Sequence, residues 1–356
     1  MNPQKPSEPR WARWVTYGSV AAALIAIVIT VVASGPRAIL DGLISIGPWF
    51  GLIVAIEILG TACDAAALHG YVSDGKRRIG YFETVRAQVA GRAVSLVTPL
   101  GSLGEVTKTT MLMKHVTSQR AIAAVARWNL AYLGISLLAI VIGAPISAAM
   151  LDLPPWLDGM LYIGAAVAAV VLVAGATLVR RGMLSSLVGA LAAVRIVSAK
   201  RRQAWRKKLR QVDKLVAGRS QHRAGIAPIG WLVLSRALNW LNAWVVLAAA
   251  GTVVGAGTMA ALATAGIAIS FASTMVPLGL GIAEGGNAAL FVALGLDASL
   301  GVTLAISRRV IQVLYAIIGL SFVATTGGWR KLRAMASRPR AITTRGTPSA
   351  AFPRAS

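Results

Sequence analysis

Long apolar runs with few charged residues constrain this chain most, because a run of about twenty such residues can cross the hydrocarbon core of a bilayer as a helix. Runs of this kind cover residues 14–34, 47–70, 121–144, 159–179, 231–250 and 303–326. Hydrophobic residues make up 56% of the chain and charged residues only 13%, which is too apolar a balance for an ordinary soluble domain. We therefore predict an all-α polytopic membrane protein of about six spanning helices.

Two further apolar segments, residues 83–120 and 259–299, are each interrupted by proline and glycine. Proline lacks an amide N–H and glycine tolerates unusual dihedral angles, so both residues favour a broken helix. Each break brings together a proline, two glycines and a carboxylate: Pro99, Gly101, Gly104 and Glu105 in the first, and Pro277, Gly279, Gly281 and Glu284 in the second. Unwound backbone at membrane depth is tolerated where it lines a cavity. We predict two re-entrant broken helices, with a kink or a turn between two short spans as the alternative.

Basic residues outside the apolar runs indicate the orientation of the chain, because Lys and Arg are enriched in cytoplasmic loops. Such residues follow the second run at 76–78 and the last run at 330–333. This pattern predicts a transmembrane domain at 14–326 in the cell inner membrane, with a cytoplasmic N-terminus at 1–13 and a disordered basic cytoplasmic tail at 327–356. The first broken segment then enters from the cytoplasm and the second from the outside, which is the arrangement of an inverted repeat.

The chain carries 36 Lys and Arg residues against 12 Asp and Glu residues, a formal net charge of +24. Because the basic residues lie between apolar runs without interleaved aromatic side chains, we do not expect nucleic acid as a partner. Eleven of them lie at 195–223, within a basic segment at 182–226. This segment predicts an amphipathic helix on anionic phospholipid headgroups, with a solvated loop as the alternative. The single cysteine and three scattered histidines predict no metal ion or other cofactor.

Charged side chains inside the apolar runs usually face a cavity or an opposite charge, because their insertion into lipid is costly. Glu57 and Asp64 lie seven residues apart on one face of the second run, where they would gate a path or pair with cations. The basic residues that would attract a lipid phosphate are Lys108, Arg127, Arg236, Arg308 and Arg309. Glu105 and Glu284 would gate the path or exchange protons. Interhelical ion pairs are the plain alternative, and Asp297 is expected to cap the last span.

Residues 98–108, TPLGSLGEVTK, and the stretch from Pro277 to Gly286 resemble the transmembrane region of lysylphosphatidylglycerol synthases and the stand-alone flippase-like integral membrane proteins related to it. The resemblance covers roughly residues 15–326 and implies that the two Pro/Gly/Glu motifs are functional. Two positions depart from the family pattern: Lys108 stands where an arginine is common, and Arg127 is preceded by alanine where a glutamate is common. No aminoacyl-transferase domain follows residue 333, so we do not expect the lipid-modifying reaction of the full-length synthases.

These observations together predict a flippase-like lipid transporter and not an enzyme. It would move an aminoacylated, glycosylated or hopanoid lipid between leaflets, with the polar headgroup passing between the two re-entrant segments. One alternative is an intramembrane enzyme acting on a lipid phosphate, with Glu57, Asp64, Glu105 or Glu284 as general base. The other is a membrane scaffold that recruits lipid-modifying enzymes through its basic segment.

Overall fold

The computed structural model describes residues 47–73, 79–97, 102–180, 226–273 and 281–325 of the 356-residue chain. In those ranges the regular structure is helical throughout: α1 (Trp49–Val72), α2 (Tyr81–Val97), α3 (Ser102–Leu112), α4 (Ser118–Met150), α5 (Pro155–Arg180), α6 (Ala227–Ala249), α7 (Ala256–Ser273), α8 (Ile282–Ala293) and α9 (Ala298–Thr325). The predicted all-α fold is confirmed.

Several predicted features lie outside the described residues. They are the segments 1–13, 14–34 and 327–356, nearly all of the basic segment 182–226, and the motif residues Pro99, Gly101, Pro277 and Gly279. The interpretations given for these parts of the chain stay predictions.

Six of the described helices are long and apolar enough to cross a membrane, judged by length and composition: α1, α4, α5, α6, α7 and α9. The 24 residues of α1 rise about 36 Å at 1.5 Å per residue, which exceeds a hydrocarbon core about 30 Å thick. A helix satisfies most of its own backbone polar groups, as a lipid environment requires. The chain is therefore a multi-pass membrane protein, as predicted.

Helices end and restart on either side of both predicted breaks. α2 ends at Val97 and α3 begins at Ser102, while α7 ends at Ser273 and α8 begins at Ile282. α7 has 18 residues and is long enough to span by itself, although the prediction placed it in a re-entrant segment. α3 and α8 have only 11 and 12 residues, too few for a crossing of roughly 20. The re-entrant course of both segments stays a prediction.

The packing of the helices shows an internal repeat. α1 to α4 form one set and α6 to α9 the other, and the first helices of the two sets, α1 and α6, pack along each other. The second helix of each set packs against the last helix of the opposite set, so α2 contacts α9 and α7 contacts α4. Glycines allow both approaches: Gly319 of α9 faces the backbone of Val89, and Gly143 of α4 faces Thr264. This crossed packing of the two sets supports an internal repeat. The inverted orientation of the repeat stays a prediction.

Two apolar clusters hold the helices together, and α1 contributes to both. One cluster contains Leu68 near the end of α1, and the other contains Ile53 near its start. The outer face of α5 is apolar as well, with Ile163 and Val170 67% and 68% exposed, as expected for side chains that face lipid. The part of α1 between the two clusters carries the charged residues from which the candidate site is built.

A carboxylate caps the start of α9. The backbone N–H of Ser299 donates to Oδ1 of Asp297 at 2.7 Å and so satisfies one of the free N–H groups at the helix start. This hydrogen bond lowers the pKa of Asp297, because it stabilises the charged form of the carboxylate. The predicted N-cap is confirmed.

Candidate functional site

Glu57 of α1 forms an ion pair between the two apolar clusters. Its Oε1 lies 2.6 Å from Nη2 of Arg92 in α2. Nη1 of Arg92 donates to the hydroxyl of Thr61 at 3.2 Å, and its guanidinium lies 4.6 Å from the ring centre of Tyr315 in α9. The amide of Asn242 in α6 donates to the second carboxylate oxygen at 3.4 Å. Glu57 therefore joins four helices and pairs with a cation, which is one of the two roles predicted for it.

Glu105 is the centre of a second polar group, in which both of its oxygens are bound. Oε1 accepts a hydrogen bond from Nζ of Lys108 at 2.9 Å, and Oε2 accepts one from Nδ2 of Asn129 in α4 at 2.7 Å. The Lys108 side chain is only 5% exposed, and its Nζ lies 4.1 Å from the ring centre of Trp128. These contacts favour an internal ion pair over a free gate at Glu105.

The motif glycine Gly104 lets α3 lie directly on α2. A Cβ atom built at this position would meet the hydroxyl of Ser95 and the backbone carbonyl oxygen of Gly91. A backbone atom cannot move aside as the end of a flexible side chain can. The structure therefore places Gly104 in the contact between the two helices that flank the first break.

Glu284 has two partners at the start of α8. Its Oε2 accepts the backbone N–H of Gly281 at 2.9 Å, and its carboxylate forms an ion pair with Arg309 of α9. Gly281 has a φ of 77°, which glycine adopts without the steric cost that other residues meet. The Arg309 side chain is 6% exposed, so this ion pair lies largely out of solvent.

The two motif carboxylates make matching contacts. Glu105 contacts Asn129, 24 residues further along the chain, and Glu284 contacts Arg309, 25 residues further along. In both cases the carboxylate lies in the short helix after the break and its partner in the next long helix. The matched carboxylates were predicted, and their matched partners are a finding of the structure. Only the second pair carries opposite charges.

Asp64 lies on α1, 7% exposed and surrounded by basic groups. Its carboxylate accepts a hydrogen bond from Ser235 of α6 and lies within electrostatic range of Arg236, Arg92 and Lys108, of which Arg236 acts most strongly. Oδ1 of Asp64 has no hydrogen-bond partner among the described residues. Asp64 thus connects the polar groups of Glu57 and Glu105 with the arginine of α6.

A cavity of about 210 Å³ lies among α4, α6, α7 and α9. Its polar lining consists of Tyr132, Ser136, Arg236, Asn239, Ser270 and Arg308. The remaining lining is apolar and comes mainly from α7, where Phe271 is 47% exposed and Ser270 is exposed too. These two exposed residues place the mouth of the cavity at the outer surface of the helix bundle.

Two arginines in the cavity wall are only partly satisfied by the protein. Nη1 of Arg236 donates to the hydroxyl of Tyr132 at 2.9 Å, and its guanidinium lies 4.3 Å from the centre of the same ring. Nε of Arg236 is buried without a hydrogen-bond partner among the described residues. Arg308 makes no hydrogen bond or ion pair within the described part of the chain. It is attracted by Glu57 and repelled by Arg236, and the two arginines line the same cavity.

The charges of this interior region do not cancel. Among the residues that the structure describes, four basic groups face three carboxylates there: Arg92, Lys108, Arg236 and Arg308 against Glu57, Asp64 and Glu105. Two of the carboxylates are in direct ion pairs, with Arg92 and Lys108, and the third acts most strongly on Arg236. One positive charge therefore remains at the cavity wall, on Arg308. Guanidinium and hydroxyl groups of this kind suit an anionic oxygen ligand.

The structure sorts the five predicted basic residues into three groups. Arg236 and Arg308 line the cavity, whereas Lys108 and Arg309 are held in ion pairs. Arg127 lies on α4 and does not line the cavity. The five residues are therefore not equivalent, and Arg236 and Arg308 are the two that line this cavity.

Sequence reasoning missed several members of the site. Arg92 left a signal, because it is one of three arginines in the first broken segment, but the sequence does not show that it reaches Glu57 of α1. Tyr132, Ser136 and Tyr315 left none, because hydroxyl groups in apolar runs are common and their partners lie on distant helices. No group of three or more His, Cys, Asp or Glu side chains in the described ranges is arranged to hold a metal ion.

Comparison with known protein families matches residues 19–319 to the family described as Lysylphosphatidylglycerol synthase TM region. The matched stretch runs from before α1 to the later part of α9 and so contains the cavity and both polar groups. No curated protein and no solved structure matches the chain.

Proposed function

Because this chain belongs to the family of lysylphosphatidylglycerol synthase transmembrane regions, we propose that it is a lipid translocase, or flippase. The family and the six apolar helices make it a multi-pass membrane protein related to lipid modification or transport. In the proposed reaction, a lipid with a polar headgroup moves between the leaflets of the cell inner membrane. The observation that carries the proposal is the cavity, which is polar and cationic, lies among apolar helices of spanning length, and opens at the exposed edge of α7.

A headgroup that crosses a bilayer needs polar groups that replace its water, because an unsatisfied polar group in hydrocarbon costs several kcal/mol. The hydroxyl of Tyr132, the amide of Asn239 and the two guanidinium groups can supply such contacts. The cavity of about 210 Å³ is smaller than the roughly 300–1,000 Å³ of pockets for drug-sized ligands, so it suits a headgroup and not a whole lipid. The hydrocarbon tail would remain in the bilayer.

The arrangement of carboxylates supports transport over catalysis. A lipid-modifying reaction with a carboxylate base needs that base within hydrogen-bond reach of the substrate. None of the described residues that line the cavity is acidic, and Glu57, Glu105 and Glu284 are each paired with a cation. We therefore propose that the chain is not an enzyme.

The location and partners of the protein are part of the same proposal. Basic residues after the second and last apolar runs support cytoplasmic N- and C-termini in the inner membrane. The basic segment 182–226 would bind anionic phospholipid headgroups and would be the place where lipid-modifying enzymes dock. Neither nucleic acid nor a cofactor has a role in this proposal.

The test is lipid translocation by the purified protein in vesicles. Fluorescent analogues of phosphatidylglycerol, an aminoacylated phospholipid and a glycolipid are placed in the inner leaflet, and their arrival outside is measured with a membrane-impermeant quencher. Protein-containing vesicles should lose the protected fluorescence of at least one analogue faster than protein-free vesicles. Equal rates for all analogues with and without protein would contradict the proposal.

A cavity-filling variant links the activity to the site. Gly266 lines the cavity, and a Cβ atom there would meet nothing within 4 Å, so Gly266→Phe places a ring in the open space. Gly164→Phe is the matched control, because Gly164 lies on the exposed face of α5 and is equally free of neighbours. We expect Gly266→Phe to lose most of the translocation rate and Gly164→Phe to keep it, with unchanged elution profiles for both. A wild-type rate for Gly266→Phe would separate the activity from this cavity.

A further inference from the structure

The charge left at the cavity wall indicates the chemistry of the headgroup. We propose that Arg236 and Arg308 bind a phosphate ester of the transported lipid. The cargo is then a phosphate-bearing lipid and not an uncharged glycolipid or hopanoid. This inference rests on the proposed function for its physiological meaning, but the binding site itself stands on the geometry of the cavity.

Arg308 lines the cavity without a carboxylate in ion-pair contact among the described residues. Its neighbour Arg309 has a carboxylate partner in Glu284, whereas Arg308 has no hydrogen bond or ion pair within the described ranges. Arg308 is attracted by Glu57 without an ion-pair contact, and it lines the same cavity as Arg236. Two like charges in an interior of low dielectric repel each other strongly, and burial of an unpaired cation is costly. An oxyanion between them would remove both penalties.

Arg236 is the second arginine of the cavity wall. Tyr132 holds its guanidinium from two directions, through a 2.9 Å hydrogen bond and through contact with the ring face, so the group is fixed in orientation. A fixed guanidinium presents a planar fork of N–H donors, and this geometry matches the oxygens of a phosphate. Asn239 lines the same space and adds an amide donor for a remaining oxygen, whereas the hydroxyl of Ser136 already donates to the backbone oxygen of Tyr132 at 2.9 Å.

The size of the cavity limits which headgroups can enter it. A volume of about 210 Å³ accommodates a phosphate with a small alcohol, but not a hopanoid ring system or a branched glycan. The mouth at Ser270 and Phe271 lets the hydrocarbon chain leave towards the bilayer. The phosphodiester of a glycerophospholipid and the phosphate monoester of a polyprenyl phosphate share this chemistry, and the experiment has an arm for each.

Binding to the purified full-length protein in detergent tests the inference without any transport. The probes are dihexanoyl phosphatidylglycerol for the diester, farnesyl phosphate for the monoester and dihexanoylglycerol as the uncharged control, titrated by microscale thermophoresis. We expect at least one phosphate probe to bind and the uncharged control to bind much more weakly. A preference for the diester assigns a glycerophospholipid, and a preference for the monoester assigns a polyprenyl phosphate. Failure of both phosphate probes, or equal binding of the uncharged control, overturns the inference.

Arg308→Gln is the decisive variant, because Arg308 makes no hydrogen bond or ion pair within the described ranges that the substitution would break. Loss of one charged hydrogen-bond donor should weaken phosphate binding roughly 10- to 100-fold. Arg86→Gln is the control: it removes the same charge from an ion pair with Glu83 whose side chains are about one-third exposed and away from the cavity. We expect the control to keep the wild-type affinity. Unchanged affinity in a folded Arg308→Gln protein would refute the site.

Translocation measurements separate this inference from the proposed function. Arg308-dependent phosphate binding without translocation of any lipid would refute the translocase and retain the anion site. Translocation of an uncharged glycolipid that is unaffected by Arg308→Gln would retain the translocase and refute the anion site.

Discussion

Replacement of Glu284 by glutamine should destabilise the protein strongly, because the variant keeps the shape of the side chain and removes the partner charge of Arg309. The two side chains are 22% and 6% exposed, so the pair lies mostly out of solvent. Removal of one partner from a buried ion pair typically costs about 3–5 kcal/mol. The glutamine oxygen can still accept the backbone N–H of Gly281, so the start of α8 keeps its cap. The loss of stability should therefore come from the removed charge and not from a lost hydrogen bond.

Glu83→Gln is the matched control for this prediction. Glu83 pairs with Arg86 at 3.0 Å, but both side chains are about one-third exposed. Exposed ion pairs contribute about 0.2–1 kcal/mol, because solvent screens the charges. The same change of carboxylate to amide should thus cost at least about three times more at Glu284 than at Glu83.

The assay is the thermal midpoint of the purified protein in detergent, followed by the amount that remains monodisperse on size-exclusion chromatography. Glu284→Gln should lower the midpoint well below that of Glu83→Gln. The double variant Glu284→Gln, Arg309→Gln should recover part of the loss, because it no longer buries the arginine charge without this carboxylate. Equal midpoints for Glu284→Gln and Glu83→Gln would show that the Glu284 pair is solvated, and the structural role assigned to it would be wrong.

Two other variants test the helix packing and the orientation. Gly104→Ala should lower the thermal midpoint, because the added Cβ would meet the backbone of α2, whereas Gly159→Ala, with nothing within 4 Å of its Cβ, should not; equal midpoints would contradict the close contact of α2 and α3. Val253 is 84% exposed, so Val253→Cys in a Cys63→Ala background should react with an impermeant thiol reagent from the outside. Labelling from the cytoplasmic side alone would refute the inverted repeat.

The spans and the breaks could be predicted because both are local properties of the chain. An apolar run such as 47–70 is constrained by lipid along its whole length, and a Pro/Gly cluster acts on the backbone of a few residues. The crossed packing of the two halves, α2 against α9 and α7 against α4, could not be predicted. It depends on contacts such as Gly319 with Val89 that link distant parts of the chain. Whether α7 crosses or turns back could not be predicted either, because an uncharged run looks the same in both cases.

The sequence identified many of the charged residues of the candidate site but not the contacts that they make. Glu105 and Glu284 were recognised as a matched pair, but a carboxylate in an apolar segment has the same signature whether it gates a path or pairs with a cation. The contacts of the two glutamates depend on the register of helices far apart in sequence, which brings Lys108 and Asn129 to one carboxylate and Arg309 to the other. The sequence identified Arg236 as a charged residue in an apolar run. The cavity that it lines is seen in the structure and could not be predicted.

Arg308 and Arg309 are consecutive residues of α9 with different surroundings. Consecutive residues of an α-helix point about 100° apart, so one arginine reaches Glu284 on α8 while the other lines the cavity. An unpaired arginine within a spanning helix costs roughly 2.5–3.5 kcal/mol on insertion scales, and a purely structural site would be better served by an apolar side chain of similar volume. Arg309 is accounted for by its carboxylate. Arg308 has no carboxylate in ion-pair contact among the described residues, and the proposed phosphate ester in the cavity would supply its counter-charge.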